Sequence, residues 1–250
     1  MPSSATTGST LLARGGSQAL TLAVLPTLLV AALAWSVTAR SETMGMSGAA
    51  AFVMAWLVMM VAMMLPAVAP VAGLYVVAAR RGVVAAAPVF LSGYLAVWAL
   101  SALPAYVVSR AVSEPLMDGR PWAARLVGAT LVAAGVYQVT PLKQSCLRAC
   151  RSPMSFFLTR RASLSSPATA ISAGVEHGLS CLGCCWALMA VLVVLGGMQL
   201  GWALALALVI SAEKLLPRGE AVARATAGIC LSIGGALLLV PSLLVHLIHM

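Results

Sequence analysis

Acidic residues are scarce in this chain: six Asp and Glu stand against 15 Lys and Arg in 250 residues, and charged side chains make up 8% of the total. A soluble domain carries about 25% charged and roughly 45–50% apolar residues, whereas the AVILMFWYC set accounts for 62% here. These figures exclude a soluble globule and a disordered chain. Cysteine is too sparse for a small secreted scaffold, since six residues set in apolar surroundings do not make a disulfide framework. Aromatics reach only 6%. No basic run is interleaved with them on a polar face, so the positive charge does not read as a nucleic-acid surface. No phosphate-cradling Gly loop, no H-E-x-x-H and no G-x-S-x-G occurs. An ATP-driven pump, a zinc-water protease and an α/β-hydrolase are therefore without support.

What the chain has is apolar length. A bilayer core about 30 Å thick takes roughly 20 apolar residues per helical crossing, and about seven such runs can be marked. They cover residues 19–39, 49–79, 83–108, 123–139, 171–195, 198–212 and 221–247. The pattern predicts an all-α polytopic transmembrane bundle, one domain over residues 18–250 behind a disordered lead at residues 1–17. The sixth run is too short for an ordinary crossing and reads as short or re-entrant. Pro88 and Pro104 interrupt the third run, and a polar patch follows at residues 109–122. The stretch 142–167, with Lys143, Arg148, Arg151, Arg160 and Arg161, reads as a Cys- and Arg-rich cytoplasmic loop. Those five with Arg14, Arg80, Arg81, Lys214, Arg218 and Arg224 put 11 basic residues on the amino-terminal side of seven crossings. Arg40, Arg110, Arg120 and Arg125 make four on the other. By the positive-inside rule the amino terminus is cytoplasmic and the carboxy terminus outside. Gly228, Ser232 and Gly235 in the seventh run offer a small-residue face for helix packing.

Sulfur is concentrated in three places. In the fifth run, taking His177 as the origin of a 3.6-residue helix, Cys181 falls at about 40°, Cys184 at about −20° and Cys185 at about 80°. One face thus carries an imidazole and three thiols, next to Glu176. Such ligands select Cu(I), zinc or an iron–sulfur cluster, and an ionisable group inside a membrane is costly unless it has a function. In the second run Met59, Met60, Met63 and Met64 form two adjoining ladders, with Met54 above them and Met44 and Met46 before the run. Thioethers favour Cu(I), although methionine is also an adaptable core filler. Pro66 and Pro70 follow within two turns and would loosen the helix beside the sulfurs. The third group is Cys146 and Cys150 in the basic stretch, spaced for one helical face or for a loop closing on a metal.

Three segments together resemble a known family. They are Ala55-Trp-Leu-Val-Met-Met-Val-Ala-Met-Met-Leu-Pro66; Tyr137-Gln-Val-Thr-Pro-Leu-Lys143 with Cys146-Leu-Arg-Ala-Cys150-Arg-Ser-Pro153; and Cys181-Leu-Gly-Cys-Cys-Trp186, ending in Glu213-Lys214. Over residues 50–215 the chain resembles the bacterial family of predicted metal-binding integral membrane proteins of unknown function. The resemblance implies a multi-pass protein of the bacterial inner membrane with a metal site, and no established reaction.

The leading expectation is a protein that binds, transports or delivers a soft metal. Copper(I) is the first candidate and zinc the other. The ligands would come from Met59, Met60, Met63, Met64, His177, Cys181, Cys184, Cys185, Cys146 and Cys150, with the bilayer around the site and a metal chaperone or metalloenzyme as the partner supplied. Two alternatives stand beside it. One is a membrane thiol–disulfide oxidoreductase that exchanges Cys181 or Cys184 with Cys146 or Cys150. The other is a non-catalytic assembly subunit whose sulfur residues only pack. Glu213 and Lys214 either neutralise each other at the end of the sixth run, the reading favoured here, or leave Glu213 as a gate or as a group that supports the metal ligands.

Overall fold

The computed structural model describes residues 25–40, 48–78, 83–118, 120–151, 166–195 and 199–242. Among them are eight helices and no strand, as the apolar runs predict. They are α1 (Leu25–Arg40), α2 (Ala49–Ala78), α3 (Val83–Met117), α4 (Pro121–Gln138), α5 (Pro141–Arg151), α6 (Pro167–Val194), α7 (Leu200–Leu215) and α8 (Gly219–Leu239). The lead at residues 1–17, Met44, Met46, Arg80, Arg81 and residues 152–165 lie outside the described residues.

Seven crossings are not confirmed among the described residues, which leave out residues 19–24 of the first run. Four helices, α2, α3, α6 and α8, are each long and apolar enough to cross alone, and the number rises to five if α4 and α5 count as one bent span. The physical reason is length. α7 has 16 residues, short of the roughly 20 that a crossing takes, in keeping with the shortness expected of the sixth run. The prolines do not break their helices: α3 runs through Pro88, Pro104 and Pro115 and absorbs most of the polar patch, and α2 continues past Pro66 and Pro70. The stretch read as a loop from residue 142 opens instead with α5. Pro141 cannot extend α4, because it has no N–H to offer, and suits the first turn of a new helix. Thr140 caps that turn, its Oγ1 accepting the Lys143 N–H at 3.3 Å. The result is an elbow of 66° between α4 and α5.

α6 is the centre of the bundle. It packs along α3 and also touches α4, α5 and α7, while α4 pairs with α8 and α2 with α3 and α7. Lipid supplies no hydrophobic push between helices, so close packing at small residues has to hold them. At Gly174 an added Cβ would strike the Phe90 carbonyl oxygen, and at Gly93 the Ile171 carbonyl oxygen. α3 and α6 therefore meet backbone to backbone, which brings the fully buried Phe90 and Tyr94 onto the face of α6 that carries His177 and Cys181. On α8 the packing glycine is Gly234, whose Cβ would come within 2.7 Å of the Gly128 carbonyl oxygen. Gly228 and Gly235, expected to serve this purpose, meet nothing within 4 Å.

Candidate metal centre

Cys181 is the hub of the buried interior. It sits on the α6 face turned toward α2, α3 and α7, and only 1% of it is exposed. Its Sγ accepts a hydrogen bond from Lys214 Nζ of α7 at 2.9 Å, lies 3.1 Å from Tyr94 Oη of α3 and is 4.0 Å from Met64 Sδ of α2. Lys214 Nζ also approaches Met64 Sδ at 3.7 Å. A thiol, a thioether, a phenol and an ammonium from four helices thus converge on one point. One turn along α6, Cys184 Sγ faces Cys150 Sγ of α5 at 3.9 Å. Cys184 and Cys185 both turn their Sγ back to the Cys181 carbonyl, at 3.1 and 3.0 Å. His177 lies against the rings of Tyr94 and Phe90, with centroids 6.0 and 6.1 Å away.

A second polar cluster fixes α5 in place. Glu213 of α7, buried, accepts from Lys143 Nζ of α5 at 2.6 Å and from Gln138 Nε2 of α4 at 2.8 Å. The elbow is therefore clamped from both arms by one carboxylate. Arg151, at the end of α5, donates to the carbonyls of Leu216 at 2.6 Å, Pro217 at 2.9 Å and Glu213 at 3.3 Å. These are carbonyls in and after the last turn of α7, where a cation is favourably placed. Lys143, with 0% exposure, carries a charge that such an interior tolerates only when paired and hydrogen-bonded. Together these contacts hold Cys150 against Cys184.

The copper chaperone family PpoB2 matches residues 53–237, well over half of the chain and every residue of both clusters. The chain belongs to the copper chaperone family. No curated protein and no solved structure matches it. Membership makes copper the ion against which the donor set is to be judged, and apolar helices of crossing length make the chain a membrane member of that family.

Against the expected ligand set, this copper chaperone family member brings some residues together and leaves others apart. Met64 reaches the cysteine face at Cys181. Met59, Met60 and Met63 are buried in the same core, whereas Met54 is 62% exposed on another side of α2 and does not continue the ladder. Cys146 lies over Gly183, its Sγ 2.7 Å from where a Cβ on that glycine would be. Among the described residues, no three of His, Cys, Asp and Glu are arranged to hold a metal ion by themselves. Met64 is a thioether donor that lies beside this thiol cluster. Glu213 and Lys214 do not neutralise each other. Neighbours in a helix point about 100° apart, so Glu213 turns to Lys143 while Lys214 turns to Cys181. Tyr94 is the polar member that no motif marked, while Gln138, Lys143 and Lys214 stand in the motif segments without being assigned to the site. An isolated Lys at the end of an apolar run, beside a single Glu, was the available signal for Lys214.

Proposed function

We propose that this chain holds Cu(I) in the cluster of Cys181, Met64, Cys184 and Cys150 and passes it to an acceptor, a metal chaperone or a metalloenzyme. The observation that carries the reading is the meeting of Cys181 Sγ and Met64 Sδ at 4.0 Å from two different helices. With a metal–sulfur bond of about 2.3 Å, as for zinc thiolates, one ion bridges sulfurs up to about 4.6 Å apart. Both this pair and the Cys150–Cys184 pair at 3.9 Å lie within that reach. A thiol and thioether set is soft and favours Cu(I).

Charge supports the same choice. Lys214 already sets one positive charge against Cys181 in an apolar interior, so a dication needs more thiolate charge around it than a monovalent ion does. Zinc in addition wants four donors in a closed tetrahedron. We place the protein in the bacterial inner membrane with α5 and the basic stretch that it opens, holding Arg148, Arg151, Arg160 and Arg161, on the cytoplasmic side.

The test is metal content. Wild type and the Cys181→Ser/Cys184→Ser variant are purified under reducing conditions and loaded with Cu(I), and copper and zinc are counted per chain. Wild type should hold copper and little zinc, and the variant should hold neither. Equal metal in the two proteins, or none in the wild type, refutes the reading.

The Cys150–Cys184 contact also favours a second reading, thiol–disulfide exchange. In that case the two thiols reduce an incoming disulfide to two thiols and become a disulfide themselves. A wild type that binds no Cu(I) but forms the Cys150–Cys184 bond with oxidised glutathione would favour this reading instead.

A further inference from the structure

We propose that Cys146 is the thiol through which Cu(I) enters and leaves the buried cluster, by direct ligand exchange with a carrier that itself holds the ion on a thiolate. This rests on the copper reading above and adds the path and the kind of partner.

Of the six cysteines, five are buried and Cys146 alone is not. It precedes Cys150 by four residues on α5, so the two thiols occupy one face on successive turns. That face lies on α6. The Cys146 sulfur rests over Gly183, where any side chain would displace it, and Cys150 faces Cys184. Exposure falls along this row: Cys146 is half-buried, Cys150 is 8% exposed, and Cys184 and Cys181 are 1% exposed each. The turn of α6 beneath Cys146 is held, because Tyr137 Oη donates to the Gly183 carbonyl at 2.5 Å and the Tyr137 ring packs edge-on against Trp186. Four sulfurs from two helices thus lead from a half-buried position to the fully buried hub.

An ion stripped of ligands would pay a large desolvation cost in this interior. Exchange from sulfur to sulfur avoids it, provided the first sulfur can be reached from outside. At Cys146 a Cu–S bond forms to its sulfur as the Cu–S bond to the carrier breaks. The Cys146 proton passes to the carrier sulfur, so one thiol and one copper thiolate become one thiol and one copper thiolate. Copper stays in the same oxidation state and no further reactant is consumed. The reverse exchange uses the same atom, so Cys146 serves delivery as well as uptake.

The experiment compares rate with equilibrium. Wild type and Cys146→Ser are given Cu(I) carried on glutathione. Transfer is followed in time, and the final affinity is measured by competition with a Cu(I) chelator. The variant should keep the copper content and the affinity of wild type and take up the ion more slowly by roughly tenfold or more, as loss of the accessible exchanging thiol implies. An unchanged rate overturns the proposal, and so does a variant that loses the equilibrium site, because Cys146 would then be an ordinary ligand. A wild type that binds no Cu(I) fails the underlying reading instead. A second measurement needs no variant. A short pulse of iodoacetamide on the native protein should alkylate Cys146 first, and the singly alkylated protein should show the same slow uptake. Earlier reaction at any other cysteine overturns the assignment.

Discussion

Replacing Lys143 by Met should unfasten α5 and with it one side of the sulfur cluster. Lys143 is 0% exposed and donates to Glu213 Oε2 at 2.6 Å, while Gln138 serves the other carboxylate oxygen. Methionine fills much the same volume, so the change removes a charge and leaves few voids. Glu213, at 1% exposure, is then a buried carboxylate with one neutral partner. Breaking a buried pair by removing one member costs about 3–5 kcal/mol, whereas removing both members is often close to neutral. For a chain of this size each kcal/mol moves the melting temperature by about 2–4 °C. In detergent, Lys143→Met should therefore melt roughly 6–20 °C below wild type. Lys143→Met/Glu213→Leu should recover most of that loss, the remainder reflecting the abandoned Gln138 amide at about 1–3 kcal/mol. The single variant should also retain less Cu(I), because Cys150 is no longer held against Cys184. The reasoning is refuted if the single variant melts with wild type, or if the double variant is no better than the single.

Two other outcomes follow from the packing and one from the charge pattern. Met64→Leu, close in volume to the native residue, should leave the fold intact and weaken Cu(I) binding by about tenfold or more, while Met54→Leu, on another side of α2, should change nothing; competition titrations decide between them. Gly174→Val should push α3 off α6 at the Phe90 carbonyl and cost about 1–3 kcal/mol or more in thermal unfolding, against no measurable loss for Gly228→Ala, which meets no neighbour. Reporter fusions at residue 155 should be active only as cytoplasmic fusions, and an external signal there would invalidate the orientation drawn from the basic residues.

Helix type and order could be read from the sequence because a membrane interior allows little else: backbone groups in lipid have to bond within their own segment. Crossing number was harder to read. The shortness of α7 was legible from the length of its run, but hydropathy marks any apolar run and does not separate α4 from a helix that bends into α5. The elbow itself was written in the sequence as Val-Thr-Pro-Leu-Lys at residues 139–143. The basic residues after it favour a loop on composition and outweigh the signal of a Thr cap followed by Pro. The packing face of α8 was misjudged for a different reason. A run containing Gly228, Gly234 and Gly235 offers more than one small-residue register, and only the partner helix selects among them.

At the sulfur cluster, periodicity was enough to put His177, Cys181, Cys184 and Cys185 on one stripe, since that follows from 3.6 residues per turn. It could not rank them, because rank depends on what the other helices bring. Tyr94 is one aromatic among several on α3, and nothing local marks it as the one whose hydroxyl lies 3.1 Å from Cys181. The Glu213–Lys214 pair shows the limit most clearly. Adjacent opposite charges in an apolar run look self-sufficient when only net charge is counted. On a helix they face different neighbours, and each finds a buried partner on another element: Glu213 meets Lys143 of α5 and Lys214 meets Cys181 of α6. The two residues thereby tie the clamp on α5 and the metal candidate to the same turn of α7. A substitution at either position should consequently disturb both clusters, so copper binding and thermal stability are expected to fall together in variants of Glu213, even though its carboxylate bonds to Lys143 and Gln138 and not to the cysteines of the cluster.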